Sequence, residues 1–491
     1  MELKEIKKIN QRIYELDEKI TRSNKTIFIS TLLFCLTRNK DFQDATKLTT
    51  LINFASQTPP PIDQIIDLAK EEIKKLNLKT NVEQAIFNSL NTISGVNTSL
   101  DKNRNEFRDF ILYFIEKFST IKPEDLFLET LYMAIDKKAN ANDKGIVLTP
   151  IFAAQLMVEL ANIDYKKDVV IDLCSGTGLF SLLSYSKMLN DLNKDYKNNN
   201  ISWNDKQLYE KRIYNSIIAN DNEPKMVTLC LANFLLKTLN HNFIYYENVL
   251  NLNKSNFKDS QNNTIQATKA ILNPPYEDKY KPLEILEKVI TLVKNENSNA
   301  SNKVVVIIPS QKFGMKKDVF ARILNISTLE LVIRMQDNLF IDSNTAQSAS
   351  ILVFNANKNH NKNDVIKYYN FTDTGYVYLK DSGLVDKDNT YEDKKRNLLE
   401  RINSKTIKPN SNEFVRSWTN FYEINKELEL ETKIDPLKVK TNKHEADITI
   451  ENISIKKMLM EKQNLIDEAN NNFKDLDGSF EKYIIDILSG E

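Results

Sequence analysis

The sequence predicts an α/β protein, a doubly wound and mostly parallel sheet with a helical N-terminal domain before it and a small mixed or helical C-terminal region after it. Three observations carry this reading. Between about 145 and 355, short β-branched runs alternate with helical ones, the pattern that builds βαβ crossovers. Ahead of that segment, apolar residues recur at spacings of three and four, as amphipathic helices require. The chain also has only nine glycines in 491 residues, where average usage of ~7% would give roughly 34. Each survivor therefore marks a position where the backbone has a special task, and Gly176 and Gly178 fall almost side by side.

In the N-terminal part, Leu3, Ile6, Ile9, Ile13, Leu16 and Ile20 line one helix face. Comparable stretches follow at 26–36, 62–76, 82–93 and 105–118, with the Pro59-Pro60-Pro61 run as a break among them. Residues 1–130 read as a helical domain suited to packing or docking. Within the α/β part, 168–173, 216–220, 243–249, 270–272, 303–308, 329–334 and 349–354 read as strands, and 179–188, 225–239 and 283–293 as helices. The Asn/Lys-rich piece 191–205 reads as a surface loop insertion. Beyond a second Asn/Lys-rich linker, 365–379 alternates like a hairpin turning at Thr374 and Gly375. The chain ends in a helical pattern with Ile455, Leu459, Ile466, Ala469 and Phe473 on one face, a candidate contact for a partner chain. The expected domains are 1–130, 131–356 and 357–491.

Composition bounds the function. With 41% hydrophobic, 9% aromatic and 27% charged residues, the chain is an ordinary globular protein rather than a disordered or disulfide-stapled one. Lys+Arg and Asp+Glu both total 67, so no global field draws it onto a polyanion, and nucleic acid has to be met by a local patch or a basic partner. Cys35, Cys174 and Cys230 show no CxxC spacing and lie far from His241, His360 and His444. That argues against a zinc site or a disulfide framework and suits a reducing cytoplasm. The start MELKEIKKINQR has no apolar core, and the apolar stretch 26–36 is too short to span a bilayer, so no membrane contact is expected.

The chemistry concentrates in three short segments. Val169 to Phe180 reads as a buried strand, a tight turn through Ser175, Gly176, Thr177 and Gly178, and a helix start, which brings backbone N–H groups against a ligand. It lacks the third glycine of the dinucleotide fingerprint and has no phosphate-loop Gly-Lys. Its acidic residue, Asp172, comes first, where it can accept from an ammonium or hydroxyl group. Asp221 ends the next strand, where a carboxylate can take both hydroxyls of a ribose; the plainer alternative is a helix cap ahead of Pro224. Then Asn273-Pro274-Pro275-Tyr276 closes a fourth strand. The prolines fix the backbone, so the Pro274 carbonyl and the Asn273 side-chain oxygen can flank one amino nitrogen, while Tyr276 offers a flat face to a base.

Taken in order, Leu148-Thr149-Pro150, Asp172 to Gly178, Asp221 and Asn273-Pro274-Pro275-Tyr276 resemble the gamma-class adenine-N6 DNA methyltransferases. Among these the chain is most similar to the modification subunits of type I restriction-modification systems, over about residues 140–355. The resemblance implies a Rossmann-like methyltransferase domain and S-adenosylmethionine as cofactor. It implies that Thr149 and Pro150, after Leu148, line the methionine end, that Asp172 and the glycine turn hold the amino acid part, and that Asp221 takes the ribose. Asn248 stands where the family usually has an acidic residue near the cofactor adenine, a departure expected to weaken or alter cofactor binding. Phe340 is implied as a second aromatic against a flipped adenine, with a core phenylalanine as the alternative. The implied partners are double-stranded DNA, a specificity subunit and a translocase-nuclease subunit. Lys279, Lys281, Lys316 and Lys317 are weaker phosphate candidates, and no nuclease or helicase motif stands out. The expected reaction is methyl transfer to the N6 amino group of adenine. A stand-alone methyltransferase acting on DNA, RNA or a release factor, and a catalytically silent scaffold, stay open as alternatives.

Overall fold

The computed structural model describes residues 3–16, 22–56, 58–95, 101–118, 126, 129, 131–132, 148–296, 301–309, 317–337, 339–341, 349–361, 364, 366–379, 383–404 and 416–417. Lys316 and the expected terminal face on Ile455, Leu459, Ile466, Ala469 and Phe473 lie outside them. The chain packs as two compact units, the first from Met1 to Pro275 and the second from Tyr276 onward.

The first unit holds β1 (Val170–Asp172), β2 (Ile217–Asp221), β3 (Ile244–Tyr246) and β4 (Lys269–Leu272). They run in the order β4-β1-β2-β3, and every pairing is parallel. Every residue of β1 and β4 is buried, as parallel strands covered on both faces must be. The chain steps outward from β1 to β2 to β3 and then returns to β4 on the far side of β1. That reversal makes the β1/β4 border a topological switch point, where such sheets open a crevice at the carboxyl ends of their strands. Asp172 is the last residue of β1, and Asn273 is the first beyond β4. The expected α/β class is therefore borne out.

The N-terminal helices pack inside this unit. Helices Arg22–Arg38 and Thr80–Asn91 lie against helix Pro224–Leu236, and Thr80–Asn91 also packs on β3. Asn81 Nδ2 donates to the Tyr246 carbonyl at 2.8 Å, and the Lys79 ammonium sits 3.9 Å from the centre of the Tyr245 ring. The outermost parallel strand is thus covered rather than left as an open edge. Positions 26–36 of helix Arg22–Arg38 are all buried, which explains why its apolar residues run all round the helix instead of forming a stripe.

Two local expectations are corrected. The 191–205 piece is not a loop: helix Leu179–Lys197 continues into it and helix Trp203–Tyr214 starts inside it. A reciprocal Ser202/Asp205 capping box opens the second helix. Asn and Lys are tolerated on solvent-facing helix positions, so composition misled where capping chemistry was the better signal.

The second correction lies in the other unit. The expected 365–379 hairpin does not form, because β8 (Lys367–Phe371) pairs in parallel with β6 (Thr328–Met335) while β9 (Tyr376–Leu379) pairs with β10 (Gly383–Asp386). Gly375 does turn, with φ +90°, but Thr374 donates its hydroxyl to Gln336 and directs the two strands into different sheets. In the same unit β7 (Ala349–Asn355) is antiparallel to both β5 (Lys303–Pro309) and β6.

Gly178 shows why one glycine of the turn is fixed by packing. Its φ is +89°, and an added Cβ would lie 3.0 Å from Cys230 Sγ and 3.4 Å from the Phe234 ring. At Gly176, φ +53°, the same atom would meet nothing nearer than Met226 Sδ at 4.0 Å. Gly178→Ala should therefore cost roughly 2–4 kcal/mol, combining backbone strain with overpacking, and Gly176→Ala only the strain of roughly 1–2 kcal/mol. Urea unfolding at unchanged m-value checks the order; equal losses would contradict it.

Candidate functional site at the carboxyl ends of the parallel strands

The switch point gathers most of the residues singled out above. Asp172 is fully buried; its Oδ2 accepts from the Ser181 hydroxyl at 3.4 Å, and its Oδ1 has no hydrogen-bond partner among the described residues. Asp221 Oδ2 accepts from Gly176 N–H at 2.8 Å and its Oδ1 from Glu223 N–H at 3.0 Å. The second carboxylate thus pins the glycine turn that follows the first. Ser175 N–H completes the turn by donating to the Asn220 carbonyl at 2.9 Å, and Gly178 N–H donates to the Ser175 carbonyl at 2.7 Å.

Thr149 and Asn273 meet directly: Asn273 Nδ2 donates to Thr149 Oγ1 at 2.9 Å, and Thr149 is buried. In this arrangement the amide nitrogen faces Thr149 and the oxygen faces the opposite way. Pro150 caps helix Ile151–Leu160, with its carbonyl accepting from Ala154 N–H. Leu148 is half-buried just ahead of it. Pro274 is buried behind Asn273, and Pro275 is half-buried. Asn248 is exposed, and its Oδ1 accepts from Leu250 N–H at 3.0 Å, capping a short turn. A carboxamide oxygen has a further lone pair for a ligand amino group.

Tyr276 opens the second unit and is described there with Phe340. Their rings meet edge to face with centroids 5.4 Å apart, and Phe340 is buried. Arg334 pairs with Asp337 at the end of β6, just ahead of Phe340.

Three polar residues at the site escaped the sequence reading. Asn220 is fully buried and donates from Nδ2 to the carbonyls of Leu173 at 3.1 Å and Glu247 at 3.0 Å, tying together the ends of three strands. Asn233 Nδ2 donates to the Thr177 carbonyl at 2.8 Å and to Glu129 Oε1 at 2.9 Å. The available signal was a polar residue interrupting an apolar run: Asn220 after IIA, Asn233 in LCLANFLL and Glu129 after LFL.

Burial governs the electrostatics. It pushes the Asp172 carboxyl well above the usual range, reinforced by the negative charge of Asp221. Asp221 is raised to about 6 by burial, against the pull of the N–H groups of Gly176 and Glu223. Glu129 is raised to about 7 by burial, against the Thr177 hydroxyl and Asn233. Cys174 and Cys230 are pushed up by burial and by these carboxylates, so neither is a ready nucleophile. Among the described residues no group of His, Cys, Asp and Glu side chains could hold a metal, and no helix is long and apolar enough to cross a membrane.

A carboxyl raised on folding leaves the folded state with more bound protons, so stability falls as pH rises, here from the ordinary carboxyl range up to about 7. Asp172→Asn removes the buried, incompletely partnered charge. It should stabilise the free protein near pH 8 by roughly 1–3 kcal/mol and flatten the slope between pH 5 and 8. A variant no more stable than wild type in urea at pH 8 would mean that the chain itself already compensates this carboxylate.

Comparison with known proteins agrees with this geometry. The chain is 30% identical over 268 residues to the type II restriction enzyme and methyltransferase RM.BcgI of Heyndrickxia coagulans, a match covering 53% of this chain and 39% of that one. The chain thus spans about two fifths of that relative's length. Its fold is similar to the modification subunit of a putative type I restriction enzyme from Vibrio vulnificus YJ016, with TM-score 0.51, 13% identity, and 84% and 91% of the two chains covered. It is similar also to the type I restriction-modification system methyltransferase subunit from Streptococcus thermophilus, with TM-score 0.51, 12% identity, and 86% and 97% covered. The N-6 DNA Methylase family matches residues 125–408, more than half of the sequence and the whole of the site just described. The chain belongs to the N-6 DNA methylase family.

Proposed function

We propose that the chain transfers a methyl group from S-adenosylmethionine to the N6 amino group of adenine in double-stranded DNA, as the modification subunit of a restriction-modification complex. The observation that carries the reading is the pairing of Asn273 with Thr149 at the switch point, beside a strand that ends in the buried Asp172. The residues fit the cofactor. The unpartnered Asp172 Oδ1 suits its ammonium group, the open space before Gly176 admits ligand atoms, and Asp221 retains lone pairs for ribose hydroxyls. Leu148, Thr149, Pro150, Ser175, Thr177, Gly178 and Asn248 complete the proposed lining. Once bound, S-adenosylmethionine supplies an electrophilic methyl group on a sulfonium.

The remaining work belongs to the chain. Asn273 Oδ1 and the Pro274 carbonyl accept from the adenine amino group, drawing its lone pair out of conjugation with the ring. Thr149 accepts from the amide nitrogen, which leaves the oxygen to meet that group. Pro275 stiffens the turn, Tyr276 stacks on the flipped base, and Phe340 braces Tyr276 edge to face. The reading needs no covalent enzyme intermediate and no metal. Zero formal net charge favours delegated sequence recognition; a specificity subunit is the proposed partner, with a translocase-nuclease subunit for any cleavage, and the cytoplasm is the proposed compartment.

Asn273→Ala should bind S-adenosylmethionine within a few-fold of wild type while losing at least ~10²-fold in methyl transfer, the usual loss when one preorganised polar group leaves a dry site. The test is transfer of labelled methyl to DNA, with a cognate specificity subunit present and with RNA and a release factor as parallel acceptors. Undiminished turnover in the variant, or label entering only RNA or protein, would sink the reading.

A further inference from the structure

We infer that Glu129 is a positioning residue for the cofactor turn, acting from outside the sheet through Asn233 on Thr177. The inference rests on the reading of the switch point as an S-adenosylmethionine site. Glu129 is 2% exposed, Thr177 3% and Asn233 3%. Asn233 Nδ2 spends one hydrogen on Glu129 Oε1 at 2.9 Å and the other on the Thr177 carbonyl at 2.8 Å, and the Thr177 hydroxyl favours the charged form of the Glu129 carboxyl. Glu129 thus reaches the backbone of the residue between Gly176 and Gly178 through Asn233. The Thr177 carbonyl is held in this way, while Asp221 holds Gly176 N–H. A turn fixed at two points meets its ligand without first paying to become ordered.

Glu129 does more here than fill a polar gap in the core. One helical turn further on, Tyr132, also buried, shares a hydrogen bond of 3.1 Å with the fully buried Ser30 of helix Arg22–Arg38. Glu129 and Tyr132 thus link that helix to the glycine turn. Among the described residues, the titratable groups facing Glu129 are Asp172 from β1, Cys230 from helix Pro224–Leu236 and Tyr132 from its own segment. None is a cation, so the neutral donor of Asn233 sets where the carboxylate points.

The test is calorimetric binding of S-adenosylmethionine to the full chain, scored per folded molecule, with thermal unfolding measured in parallel. Glu129→Gln keeps an acceptor for Asn233 and a polar partner for Thr177, and should bind within about threefold of wild type. Glu129→Asp keeps the charge but withdraws it by one methylene, and should bind about tenfold more weakly while still folding; Glu129→Ala should lose at least as much. Because Glu129 acts through Asn233, combining Glu129→Asp with Asn233→Ala should be no worse than the weaker single variant, rather than multiplying the two losses. A folded Glu129→Asp chain that binds as tightly as wild type, or losses that multiply, would overturn the inference and leave the cofactor reading standing. No binding by the wild-type chain would overturn that reading and the inference with it.

Discussion

Everything at the switch point depends on one uncompensated group. Asp172 ends a strand buried on all sides, and one of its oxygens finds no donor among the described residues. A buried carboxylate of that kind opposes folding unless it is protonated or meets a cation, and burial and the charge of Asp221 raise its proton affinity, with no cation beside it among the described residues. The bonds from Asn233 to Glu129 and Thr177, the Asp221 bond to Gly176 and the strand-end clamp by Asn220 hold the backbone around it. Local instability at one atom is retained because the rest of the unit is rigid enough to bear it.

The two glycines of the turn divide the work. Gly178 is glycine because helix Pro224–Leu236 comes too close for anything larger, and Gly176 has open space beside it. Asn273 adds a second division, since the same amide is anchored through its nitrogen by Thr149 and presents its oxygen in the opposite direction. The segment around Thr149 is thereby a partner of the turn that begins at Asn273.

Much of this was legible in the sequence. The strands β1, β2 and β4 and the helices after β1 and β2 follow from period, glycine placement and spacing, because local chemistry dictates them, while the gathering of Thr149 with Asp172, Gly176, Asp221 and Asn273 was implied by the resemblance to the adenine-N6 methyltransferases. What was missed depends on tertiary context. Asn220, Asn233 and Glu129 lie in runs that are otherwise apolar, and only the fold reveals that their polar atoms meet. The 191–205 piece misled because Asn and Lys suit both loops and exposed helix faces. The 365–379 hairpin misled because alternation identifies a strand but not its partner.

The most direct measurement of the central claim is an experimental structure of the full chain with S-adenosylmethionine bound. The predicted result is the cofactor ammonium within hydrogen-bond distance of Asp172 Oδ1, with backbone atoms of Gly176 against the ligand and the Asn273 side-chain oxygen facing the sulfonium methyl. A cofactor bound away from the ends of β1 and β4, or a complex in which Asp172 Oδ1 has no ligand partner, would contradict it.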